Sequence, residues 1–134
     1  MTDVLVACAV GVAIVDLEEE TASLADDVVA LPPRPPVATG LPLVGDADRY
    51  DALIVAVVDR RPPLVISRDA GATWNEAGAG LPSGVGVAIS PEHPDRILFA
   101  GEERLFLSED GGRFWRALAV ELPGITAVAW GEPT

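Results

Sequence analysis

The 134-residue chain predicts an all-β fold made of short antiparallel strands. Two observations carry that expectation. Apolar residues make up 49% of the chain, and Val and Ile are frequent in short runs punctuated by Gly and Pro, a composition that favours strands and turns over long helices. The second observation is an internal repeat. Ile66-Ser67-Arg68-Asp69-Ala70-Gly71-Ala72-Thr73-Trp74 aligns on Leu107-Ser108-Glu109-Asp110-Gly111-Gly112-Arg113-Phe114-Trp115, a spacing of 41 positions. Leu81-Pro82 recurs at the same spacing as Leu122-Pro123, and Val87-Ala88-Ile89 as Val128-Ala129-Trp130. One spacing held by three landmarks marks a supersecondary unit used repeatedly.

The shared pattern is S-x-D-x-G-x-[TF]-W, and each position has a physical task. Ser67 ends a strand and Asp69 opens a tight turn, where its carboxylate can accept turn N–H groups that otherwise lack partners. Gly71 supplies a backbone conformation that a residue with a Cβ resists. Trp74 starts the next strand and lays a large apolar ring over the turn. Ser108, Asp110, Gly112 and Trp115 take the same roles in the second copy. This pattern resembles the Asp-box of the bacterial neuraminidase repeat, found in sialidases, sortilin-like receptors and photosystem assembly factors. Ile89–Gly101 also resembles the linker and strand that precede the box in such repeats. The resemblance covers residues 51–130 and is weak over 1–50, and Phe114 stands where Thr is usual. It implies a β-propeller of four-stranded blades, with the box joining third and fourth strands and serving the fold rather than a ligand.

The strands follow in order. Val4–Cys8 and Val12–Val15 align without a gap on Ile97–Gly101 and Leu105–Ser108, so they read as second and third strands of a first blade. Residues 18–39 break the pattern as an acidic, Pro-rich connector, within which Val28–Leu31 is expected as an outermost strand. Residues 32–36 are expected as extended polyproline. A second blade takes an innermost strand near Leu41–Val44, then Leu53–Val57, Leu64–Ser67 and Trp74–Ala77. A third takes Val85–Ile89, Arg96–Ala100, Leu105–Ser108 and Trp115–Val120. Ile125–Trp130 is then a spare innermost strand. The chain thus reads as one half-ring domain, 1–134, that begins without an innermost strand and ends with one too many. Propellers usually hold roughly four to eight blades, and about three would leave exposed edges. The expectation is therefore a homodimer through the terminal strands: Ile125–Trp130 of one copy pairs with Val4–Cys8 of another, giving six blades with two-fold symmetry. The alternatives are a half-ring completed by a different protein, a fragment of a larger propeller, and a folded monomer.

Net charge is −12, with nine basic residues that are all Arg. Such a surface repels phosphate backbones and anionic membranes, so neither nucleic acid nor membrane is expected as a partner. A single cysteine, Cys8, excludes an internal disulfide framework and reads as a buried small hydrophobe. Leu5-Val6-Ala7-Cys8 resembles the end of a lipoprotein signal but lacks the basic start. Val4–Val15 is too short to span a bilayer. The expected setting is cytoplasmic.

Little in the sequence carries chemistry. Sialidases with Asp-boxes need an arginine triad, a tyrosine nucleophile and acidic partners; Tyr50 is the only tyrosine, and no arginine motif precedes the repeats. His93 sits between prolines in a connecting loop, without a Ser, Cys or second His around it. Asp46, Asp48 and Asp51 are dense, but as a calcium loop they fail, because Tyr50 and Val57 stand where carboxylates belong. No cofactor and no metal are expected. Loops joining second to third strands share a face with those joining blades, which would present Arg60, Arg61, Glu102, Glu103 and Arg104 as a polar ligand site. The functional expectation is a non-enzymatic propeller that binds or scaffolds, its ligand a small molecule or protein. The competing reading is a glycoside hydrolase or lyase with its site in the channel. A third is a purely structural module.

Overall fold

The computed structural model describes residues 3–25, 31, 32, 34 and 36–131. They form twelve strands and no helix: β1 (Asp3–Cys8), β2 (Gly11–Asp16), β3 (Thr21–Leu24), β4 (Val44–Tyr50), β5 (Leu53–Val58), β6 (Leu64–Ser67), β7 (Asn75–Ala77), β8 (Gly86–Ile89), β9 (Ile97–Ala100), β10 (Arg104–Ser108), β11 (Arg116–Glu121) and β12 (Ala127–Trp130). Among the described residues no helix is long and apolar enough to cross a membrane.

The strands make three four-stranded antiparallel sheets, ordered β12-β1-β2-β3, β4-β5-β6-β7 and β8-β9-β10-β11. The third sheet lies between the other two. Its strand β8 touches both β4 and β12, whereas β4 and β12 stand apart. Leu98, Leu105, Leu107 and Leu118 pack against Val4, Val6, Ala13, Val15 and Val128 of the first sheet. On its other face Val87, Ile89, Ile97 and Phe99 pack against Val55, Val57, Leu64 and Ile66 of the second. A strand covered on both faces needs apolar side chains at every position. That is why β9 reads Ile-Leu-Phe-Ala and is buried throughout. β2, in an end sheet, alternates instead.

The first sheet draws on both ends of the chain. β12 pairs with β1 in the register Val4↔Trp130, Leu5↔Ala129, Val6↔Val128 and Ala7↔Ala127. The sequence had placed this pairing between two copies; the structure makes it within one chain. Stacking of the sheets brings the ends together, and the entropic cost of closing so long a loop grows only slowly with length. Within the single chain each terminal strand thus has a mate.

Two strands differ from expectation in place. The outermost strand of the first sheet is Thr21–Leu24, inside the segment read as connector; Leu31 is in no strand, and 28–30 lie outside the described residues. β3 pairs with β2 through Ala13↔Leu24 to Asp16↔Thr21, and all four of its residues are exposed, so no apolar pattern announced it. The innermost strand of the second sheet is Val44–Tyr50 rather than Leu41–Val44, which moves Tyr50 from a loop to a strand end. Cys8 is half-buried at the edge of the core, with its thiol directed at the Gly11 carbonyl.

The repeated turns are built as their residues require. Ser67 Oγ accepts the Gly71 N–H at 2.7 Å and donates to Asp69 Oδ1 at 2.8 Å. Asp69 Oδ1 accepts the Thr73 N–H at 2.8 Å, and Oδ2 accepts the Thr73 hydroxyl. In the second copy, Ser108 Oγ accepts the Gly112 N–H, and Asp110 Oδ1 takes the N–H groups of Arg113 and Phe114 at 3.1 and 3.0 Å. Gly71 and Gly112 have φ of 94° and 95°, the region that favours glycine. The first sheet solves the same turn differently: Asp16 Oδ1 accepts the N–H groups of Glu18 and Glu19.

Candidate functional site

Among the described residues a polar cluster joins separate elements where the innermost strands meet. In β4, alternation sends Asp46 and Asp48 to one side and Ala47 to the other. Ala47 packs on the outward apolar face of the second sheet. The two carboxylates reach β8 instead. Asp46 Oδ2 accepts the Val87 N–H at 3.0 Å, and Asp48 Oδ2 accepts the Ile89 N–H at 2.7 Å. These amides point away from β9, and a buried N–H without a partner is costly. The aspartates thus stand in for a neighbouring strand.

Arg34 completes the cluster. Its Nη1 donates to the Val87 carbonyl at 2.7 Å, and its Nη2 donates to Asp46 Oδ2 at 2.9 Å and Oδ1 at 3.1 Å. Asp48 Oδ2 lies 3.4 Å from Nη1. The side chains of Arg34, Asp46 and Asp48 keep 29%, 25% and 16% of their exposure, so the pairing is sheltered rather than sealed. From the opposite side, Trp130 of β12 donates its indole N–H to the Ala88 carbonyl at 2.9 Å. A cleft of about 220 Å³ opens beside the cluster, lined by Arg34, Asp48, Arg49, Tyr50, Pro91 and Trp130 among others. The Arg96 guanidinium sits 5.6 Å from the Trp130 ring centroid, within reach of a cation–π attraction.

The charged residues singled out from the sequence are placed otherwise. Arg60 and Arg61 are exposed in the β5–β6 loop, and Arg60 borders a small cleft with Leu41 and Val58. Glu102 and Glu103 are exposed in the β9–β10 loop, where their backbone carbonyls accept the N–H groups of Ile125 and Leu122. Arg104 pairs with Glu121 across the β10–β11 ladder. Among the described residues no hydrogen bond or ion pair joins the two groups.

Sequence reasoning missed Arg34 and the task of Asp46 and Asp48. The aspartates and Tyr50 do alternate with period two, which is a strand signal. Weighing them as a calcium loop concealed it; in the structure they lie in an extended strand paired with β5. Among the described residues no group of three His, Cys, Asp or Glu side chains could hold a metal ion. His93 is exposed, and its backbone N–H donates to Ser90 Oγ within the turn.

The repeat aspartates have shifted acidities for a local reason. The Thr73 hydroxyl, then the Thr73 N–H and the Ser67 hydroxyl, lower Asp69 to about 2. The Phe114 N–H, aided by Ser108 and Arg113, also lowers Asp110. Neither turn faces the cleft. No protein-family model matches the chain, and no curated protein matches it.

Proposed function

We propose that the chain is a non-enzymatic Asp-box β-propeller module of three blades that binds or scaffolds, with its binding surface at the inner-strand cleft. The observation that carries this reading is the use to which Asp46 and Asp48 are put. Both carboxylates are occupied by strand amides, and both face the Arg34 guanidinium. Glycoside hydrolysis of the two-carboxylate kind needs one carboxyl free to donate a proton and another free to attack or to activate water. Carboxylates holding strand amides and facing a guanidinium are structural groups. The resemblance to Asp-box repeats and the three four-stranded sheets support the propeller architecture.

One observation favours the enzymatic alternative. The cleft brings Tyr50 together with Arg34 and Arg49, a combination that sialidase-like chemistry uses. Here the Arg34 guanidinium is already committed to Asp46 and Val87, which leaves it unavailable for a substrate carboxylate. A panel of aryl glycosides and sugar-acid glycosides tests the choice. The binding reading expects no turnover; saturable turnover lost in Tyr50→Phe would establish the enzyme.

A further inference from the structure

The segment carrying Arg34 is attached in an unusual way. Among the described residues of 31–38, every hydrogen bond to the rest of the protein comes from the Arg34 side chain. The prolines at 32, 33, 35 and 36 have no N–H to offer. Among the described residues that polar attachment is one guanidinium, which sits in a receptor of three acceptors on two sheets: the Asp46 carboxylate, the Asp48 carboxylate and the Val87 carbonyl. The receptor selects geometry as well as charge. Nη1 reaches the carbonyl while Nη2 reaches Asp46, a fork that a planar guanidinium fills and a point-charge ammonium does not. Beside it the Trp130 ring, Tyr50 and Pro91 leave open cleft.

We infer that this cleft is a recognition site for arginine presented on an extended, proline-containing peptide, and that Arg34 is its resident ligand, held in cis as an autoinhibitory contact. The inference rests on the binding-module reading and names the ligand class of that site. The extended conformation of a proline-rich segment is already low in entropy, so a similar peptide loses little on docking. The chain's −12 charge and lack of Lys raise the local concentration of a cationic peptide. The tethered Arg34 competes at high effective concentration, so a peptide in trans binds weakly until the segment is displaced.

The test uses the full chain with Arg34→Ala and a synthetic hexapeptide reproducing residues 31–36, followed by calorimetry. The expected result is one-to-one binding to Arg34→Ala, at least tenfold weaker binding to the unmodified chain, and loss of at least tenfold when the peptide Arg becomes Lys or when Asp46→Asn is added. A folded Arg34→Ala chain that gives no heat overturns the inference, as does binding indifferent to the Lys peptide. If Arg34→Ala does not fold, the unmodified chain is titrated with millimolar peptide while the Trp130 indole N–H resonance is followed. A saturable shift weakened by the Lys peptide supports the site, and an unmoved resonance overturns it. The glycoside panel is run on the same chains. Turnover would sink the binding-module reading, whereas silence in both assays sinks only the arginine site.

Discussion

The Glu20 carboxylate accepts the Ala119 N–H at 2.8 Å and so ties the turn before β3 to the exposed edge of β11. Arg116 of the same strand approaches the other oxygen of Glu20 at 3.3 Å. An unpaired edge N–H is a template for unwanted strand addition, and here a side chain from the neighbouring sheet occupies it. Glu20→Ala removes that acceptor and the polar contact that Glu20 makes between the edges of the first and third sheets. A loss of about 1 kcal/mol is expected, since one net hydrogen bond at a partly exposed site is worth that order. Urea unfolding measures it, and an unchanged midpoint would contradict the role.

Phe114 stands where the first repeat has Thr73, and the structure gives the difference a consequence. Asp69 receives both the N–H and the hydroxyl of Thr73, whereas Asp110 receives only backbone N–H groups from the matching segment and a hydroxyl from Ser108. Phe114→Thr supplies the missing hydroxyl, and Phe114 is largely exposed, so little packing is lost. Carboxyl NMR titration should show the Asp110 pKa fall further, with Asp69 unmoved.

Acid stability follows from Asp69. Its folded pKa is about 2 against an ordinary 3.8. A depressed carboxylate contributes stability that is fully present above its unfolded pKa and is lost as pH falls through the folded one. The contribution therefore declines between about pH 3.8 and about 2. Asp69→Asn should be less stable at neutral pH and flatter across that acid window, as read from thermal midpoints at a series of pH values.

Gly112 is confined from two directions. Its φ is 95°, and a Cβ there would lie 2.6 Å from Ile66 Cδ1 in the adjacent sheet. Gly80, at φ 90°, has open space around it. Gly112→Ala should cost about 1–3 kcal/mol from strain and overpacking together, and Gly80→Ala distinctly less, from backbone conformation alone. Equal losses in denaturant unfolding would remove the inter-sheet contact from the account.

The repeat was legible because its chemistry is local. Ser, Asp, Gly and Trp within eight positions satisfy one another, so Ser67 and Ser108 announce their turns without reference to the rest of the chain. The apolar strands were legible for a related reason: β5, β6, β9 and β10 carry the core and read as apolar runs. β3 and β4 were misplaced because their residues do not pack as a core. Thr21–Leu24 is exposed along its length, and Val44–Tyr50 spends its aspartates on the amides of β8. Arg34 was hidden for the same cause. Its partners are 12 and 53 positions away, and nothing in a proline-rich run indicates what a single guanidinium will meet.

The first sheet is made by one chain, with Leu5 opposite Ala129 and Val6 opposite Val128. Isotope-filtered NOE spectroscopy on an equal mixture of labelled and unlabelled chains, unfolded and refolded together, tests this most directly. Cross-strand NOEs between β1 and β12 should be strong in a uniformly labelled sample and absent from the filtered spectrum of the mixture. Filtered cross-peaks between Leu5 and Ala129 would mean that the strands pair between copies, and the single-chain closure would be wrong.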